Sequence, residues 1–114
     1  MLTAAQQDHY ARHLLLDGFG GEGQERLLAL AVEVRGAGVA ARWAARYLAA
    51  SGAGRLAVDA RFVAECRALA PFSVVTEGPG EAGARIVEVF DEVTPAASAM
   101  QGAQAALDLL RSLA

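Results

Sequence analysis

The segment Gly36-Ala37-Gly38-Val39-Ala40-Ala41 follows directly on the alternating run Ala31–Arg35, and it is the part of this 114-residue chain best suited to hold a ligand. Glycine at 36 permits a tight turn, and glycine at 38 lets a backbone approach a phosphate. Small Ala41 lets the following helix pack close to its strand. Asp59 ends the next predicted strand about twenty residues later, where a carboxylate takes a ribose hydroxyl. The same turn also occurs in α/β proteins that bind nothing, so both readings stay open at this point.

Other reactive residues promise less. Cys66 is the only cysteine and has no histidine near it in sequence, which reads as a buried structural thiol sooner than a nucleophile. His9 and His13 stand four apart, the spacing of two metal ligands on one helical face, but no third ligand suggests itself, so no metal is expected. All ten basic residues are arginine. The missing lysine excludes a Schiff base and any lysine contact to phosphate.

The composition fits one globular α/β domain over residues 1–114, with 54% hydrophobic residues and a net charge of −3. That balance argues against a nucleic-acid partner, which needs clustered positive charge. No stretch reaches the length of a membrane span, and Gln6, Gln7, Asp8 and His9 stand where a signal peptide needs an apolar run. With a single cysteine, a reducing cytoplasm is the expected compartment. The abundant alanine, the single isoleucine (Ile86) and the lack of lysine and asparagine suggest a GC-rich bacterial genome.

The elements that must position these residues follow from the pattern. Thr3 to Gln6 forms a capping box that opens a helix to about Leu15. A turn with Gly18, Gly20, Gly21 and Gly23 precedes a short helix over Gln24–Leu30. Strands are predicted at Ala31–Arg35, Arg55–Asp59, Phe72–Thr76 and Arg85–Asp91. A helix runs from the glycine turn to about Ser51, and another covers Phe62–Leu69. Strand, helix and strand make a βαβ unit. The loop Gly78–Gly83 is the clearest internal boundary. Thr94-Pro95 caps a last helix that places Met100, Ala103, Leu107, Leu110 and Ala114 on one stripe.

Leu2-Thr3 through Arg26, with Gln6, Tyr10, Arg12-His13, Leu14–Leu16, Phe19-Gly20 and Glu22-Gly23-Gln24, resembles the N-terminal signature of the ThiF/MoeB/HesA family. These enzymes activate ubiquitin-like and sulfur-carrier proteins. The similarity continues through Gly36–Gly38, Tyr47-Leu48-Ala49 and Gly52–Leu56 to Asp59. Gly102-Ala103-Gln104-Ala105-Ala106-Leu107 is similar to the family's final sheet-packing helix. The resemblance implies a Rossmann-like fold with a shortened, mostly parallel sheet of about four strands and helices mainly on one face. It implies cofactor-binding roles for Gly36, Gly38 and Asp59, and for Arg12, which in the family reaches the nucleotide of the partner subunit.

Several departures from the family pattern stand beside that likeness. Val39 replaces a loop glycine, and Trp43 stands where the family has a smaller residue, either filling nucleotide space or packing in a core or interface. Phe62 to Arg67 lacks the family's asparagine. The phosphate-contacting lysine and the zinc-binding cysteine pairs are missing. The magnesium-binding aspartate and nucleophilic cysteine belong to a middle portion that reads as deleted.

The resulting expectation is a non-catalytic homodimer that binds or scaffolds, with no cofactor and no catalytic residue. Its candidate partners are a ubiquitin-like or sulfur-carrier protein or a complete family member. The alternative is a member that still binds ATP or adenylates. A parallel strand covered on both faces should be continuously apolar, whereas Val32 and Val34 alternate with Glu33 and Arg35. One sheet face is therefore expected to be wet or to meet a partner.

Overall fold

The computed structural model describes residues 21–113. The helix expected over residues 3–15, Arg12, His9, His13, Gly18, Gly20 and Ala114 lie outside the described residues. Helix α1 (Gly21–Leu28) leads into β1 (Ala31–Arg35), α2 (Val39–Ser51) and β2 (Arg55–Val58). A 3-10 turn (Ala60–Phe62) and α3 (Val63–Leu69) follow, then β3 (Val74–Glu77), β4 (Arg85–Glu88) and α4 (Pro95–Arg111). Gly21 and Gly23 therefore belong to α1 and not to a turn, since the helix starts earlier than expected.

The four strands form one sheet in the order β3-β2-β1-β4, and every neighbouring pair is parallel. This is the left half of a doubly wound sheet plus one strand beyond the point where the strand order reverses. The βαβ unit, the strand count and the parallel pairing all agree with the sequence-based expectation. β1 has its predicted bounds, β2 and β4 end sooner than predicted, and β3 starts two residues later and ends one residue later. Phe72 and Ser73 precede β3, and Val89 to Asp91 leave the ladder after β4.

Packing explains which face is covered. Val32, Val34, Leu56, Val58, Val75 and Val87 are buried in one core with residues of α2, α3 and α4. Alanine pairs one turn apart (Ala40-Ala41, Ala44-Ala45) together with Leu48-Ala49 give α2 its buried stripe. Gly52 ends the helix in the left-handed region at φ 97°, and its N–H reaches the carbonyls of Leu48 and Ala49.

Helix α4 crosses α2 closely on small residues. Gly102 faces Ala40 and Ala44, where a Cβ would press into the Ala40 carbonyl oxygen. Its buried residues are Ser98, Gly102, Ala106 and Leu109. The predicted stripe is thus displaced around the helix. Met100, Ala103, Leu107 and Leu110 instead line an outer groove of about 250 Å³ beside Tyr47. The crossing is set by backbone approach, which favours the smallest residues over the largest apolar ones.

The opposite sheet face carries no helix among the described residues. Glu33 and Arg35 lie on it as an ion pair, Arg35 Nε to Glu33 Oε2 at 2.6 Å, and Arg35 also reaches Glu88 at 3.7 Å. The guanidinium of Arg35 and the N–H of Gly80 hold the Glu33 carboxyl below the usual carboxylate range. The predicted boundary Gly78–Gly83 proves to be the crossover from β3 to β4, strapped over this face. Gly80 N donates to Glu33 Oε1 at 2.9 Å, and Arg55 Nη1 meets Glu81 Oε1 at 3.0 Å. Beneath the strap lies a depression of about 320 Å³ floored by Ala31 and Ala57. The period-two alternation of β1 therefore did report one-sided cover, and this face is polar at its centre.

Candidate functional site

The C-terminal ends of β1 and β2 and the segment after β4 converge where the strand order reverses, the usual ligand crevice of an open α/β sheet. Gly36 sits at φ 121°, a conformation that only glycine adopts freely, and a Cβ there would stand 3.1 Å from Ala41 Cβ. This matches the tight turn and close helix approach that the sequence suggested. Gly38 is the N-cap of α2 and offers no side chain to its open amides.

Those amides are not free. Asp91 Oδ1 accepts from Ala40 N at 2.9 Å, and Asp91 Oδ2 accepts from Val39 N at 3.4 Å. A Cβ on Gly38 would land inside the Asp91 carboxylate. An anion thus already occupies the position that a helix N-terminus offers to a phosphate. Asp91 lies about fifty positions from these amides along the chain, and side chains of α4 hold its two neighbours in place. Gln101 Oε1 accepts from Phe90 N at 3.1 Å, and Ser98 Oγ accepts from Glu92 N at 2.8 Å and donates to the Thr94 carbonyl at 2.9 Å. Gln101 Nε2 also donates to Glu92 Oε1 at 2.9 Å. Both neighbours of Asp91 are fastened to α4, whose own start is capped as predicted by Thr94 Oγ1 accepting from Ala97 N.

Asp59 is engaged as well. Its Oδ1 accepts from Arg61 N and from Arg61 Nε, each at 3.0 Å, so the carboxylate caps the 3-10 turn. The same guanidinium reaches the Ala37 carbonyl at 3.4 Å. Gly36, Gly38 and Asp59 are thus brought to one end of the sheet, joined there by Arg61 and Asp91. The sequence reading did not single out these last two. An acid just past the strand that neighbours β1 was the available signal.

The fit of a nucleotide to this arrangement is poor. A phosphate would have to displace a carboxylate of its own sign, and a ribose would have to displace Arg61. Trp43 packs on the flank of α2, its ring 6.2 Å from that of Tyr47 and the Arg46 guanidinium 5.2 Å above it.

Elsewhere, Glu65 binds Arg42 Nη2 at 2.8 Å and Arg46 Nη1 at 3.0 Å, and Arg42 chiefly holds its carboxyl below the usual range. Cys66 is fully buried, and burial pushes its thiol up to about 11, the setting of a structural cysteine. Among the described residues no group of three or more His, Cys, Asp or Glu side chains gathers as metal ligands do. None of the described helices is long and apolar enough to cross a membrane.

No family model matches the chain. Individual relatives do. Over 57 residues the chain is 51% identical to the SAMP-activating enzyme E1 of Haloferax volcanii, which covers 50% of this chain and 21% of that enzyme. It is 46% identical over 55 residues to the vegetative HesA protein of Trichormus variabilis, covering 48% and 21%. It is 47% identical over 57 residues to a probable molybdopterin-synthase adenylyltransferase of Gracilaria tenuistipitata, covering 50% and 16%. The matched segment spans about a fifth of the length of these curated relatives.

Proposed function

We propose that this chain, which over about half its length is similar to adenylyltransferases of the ThiF/MoeB/HesA type, acts as a non-catalytic, dimeric binding or scaffold protein. The observation that carries this reading is the Asp91 carboxylate on the amides of Val39 and Ala40. Adenylation develops negative charge on phosphates, and catalysis of it depends on cations and amides already aimed at that charge. Here the amides are spent on an acid, and the sequence has no lysine to supply the cation. Gly36, Gly38 and Asp59 are read as a phosphate-site geometry retained for packing, with Arg12 retained for contact between subunits.

Adenylating relatives act on protein partners, so a ubiquitin-like or sulfur-carrier protein, or a complete family member, is the partner class proposed. The polar sheet face, which carries no helix among the described residues, and the exposed side chains of Ile86, Phe90, Val93 and Met100 support a role exercised through surfaces. Exchange of labelled pyrophosphate into ATP, with and without candidate carrier proteins, tests the catalytic half of the proposal. Exchange at background in every case is expected. Exchange that rises when one carrier is added would overturn it.

A further inference from the structure

Two parallel strands of one sheet are usually joined by a crossover of about a dozen residues or more that carries a helix. Between β3 and β4 the chain makes this crossing with residues 78–84 alone and without a helix. The segment runs as a bare strap over the polar sheet face, and Pro79, Glu81, Ala82 and Gly83 within it are exposed.

Three glycines of the strap meet different surroundings. Gly78 and Gly83 stand at φ 90° and 85°, in the region that favours glycine, and a Cβ at either would meet nothing within 4 Å. Both turns therefore depend on glycine's backbone freedom and have open space beside them. Gly80, between them, is seated, since a Cβ there would stand 3.0 Å from Glu33 Cβ and 3.2 Å from Ala84 Cβ.

Among the described residues, two polar side-chain contacts tie the middle of the strap to the sheet. The Glu33 carboxylate accepts from Gly80 N at 2.9 Å. The Arg35 guanidinium, which also reaches Glu88 at 3.7 Å, keeps that carboxylate ionised. The second tie is Arg55 Nη1 to Glu81 Oε1 at 3.0 Å, with both side chains more than half exposed, a setting in which an ion pair contributes little. Beneath the strap lies the depression floored by Ala31 and Ala57. Ala57 pairs in register with Glu33 and is only 4% exposed, although no described helix lies on its sheet face.

We propose that the strap is a hinged lid that turns about Gly78 and Gly83, is latched by Glu33 on the Gly80 amide, and gates access to the depression over Ala57. The polar residues that interrupt the apolar run of β1 then serve the strap. The lid lies on the sheet face away from α2 and its Asp91 cap, so it stands apart from the non-catalytic reading and from whether nucleotide binds.

Thiol labelling of the full chain with dithiobis(nitrobenzoate) tests this. Ala57→Cys marks the floor, and native Cys66, which is fully buried, reports unfolding. Met100→Cys, at a position 73% exposed, gives the rate of an open thiol. The thiol introduced by Ala57→Cys is expected to react faster than Cys66 and slower than that of Met100→Cys. Gly83→Ala strains the closed turn without touching the floor, and Glu33→Gln removes the latch's charge and keeps its bulk. Added to Ala57→Cys, Gly83→Ala should raise the ratio of floor to Cys66 labelling by about tenfold, and Glu33→Gln severalfold. A floor thiol as fast as that of Met100→Cys, or no faster than Cys66, overturns the lid. A ratio that Gly83→Ala leaves unchanged overturns the hinge, and one that Glu33→Gln leaves unchanged overturns the latch.

Discussion

Replacing Gly102 by valine is expected to cost about 3 kcal/mol of stability, the upper end of what overpacking a core imposes. The reason is geometric. The Cβ of any other residue would press into the Ala40 carbonyl oxygen and stand 3.0 Å from Ala44 N. These are backbone atoms of α2 and cannot turn aside as a flexible side chain would. Relief requires α4 to lift from α2, which uncovers Ala106 and Leu109 together. Urea unfolding followed by circular dichroism reads the loss, and thermal unfolding should fall by roughly 10 °C or more for a domain of this size. Ala103→Val, one residue away on the outer groove, controls for helix propensity and should cost only about 0.5 kcal/mol. A Gly102→Val protein within about 1 kcal/mol of wild type would contradict the close helix crossing.

Asp91→Ala carries the second largest expected effect and tests what the carboxylate does. The side chain serves as the cap that Gly38 lacks, so its loss should cost about 1 kcal/mol. It should also free the amides of Val39 and Ala40 at a helix N-terminus, where inorganic phosphate can then bind. Phosphate is therefore expected to raise the unfolding temperature of Asp91→Ala and to leave the wild type nearly unchanged. Equal responses of the two proteins would mean that Asp91 does not stand in the phosphate position.

The legible parts of the fold were those whose signal is local. Val32 and Val34 alternating with Glu33 and Arg35 gave both β1 and the one-sided cover of the sheet. Gly36 announced the turn, and Thr94-Pro95 announced α4. The buried stripe of α4 was misplaced because Ser98, Gly102 and Ala106 carry almost no hydrophobic signal. What selects them is the closeness of another backbone, which no periodicity records. The site was half legible for a similar reason. Gly36, Gly38 and Asp59 stand in a recognisable order along the chain. Asp91 reaches the turn from about fifty residues away, through a sheet order that the strands alone do not fix. Arg61, two residues past Asp59, was within reach of a local reading, since a carboxylate before a turn commonly binds the amide two residues on.

Titration calorimetry of the full chain with magnesium-ATP tests the central claim most directly, because it asks whether the phosphate position is open without requiring a carrier protein. With the Asp91 carboxylate on the α2 amides and Arg61 on Asp59, no binding stronger than about 1 mM is expected, an affinity of only ~4 kcal/mol. A dissociation constant in the low micromolar range would show that nucleotide displaces both, and would contradict the non-catalytic reading.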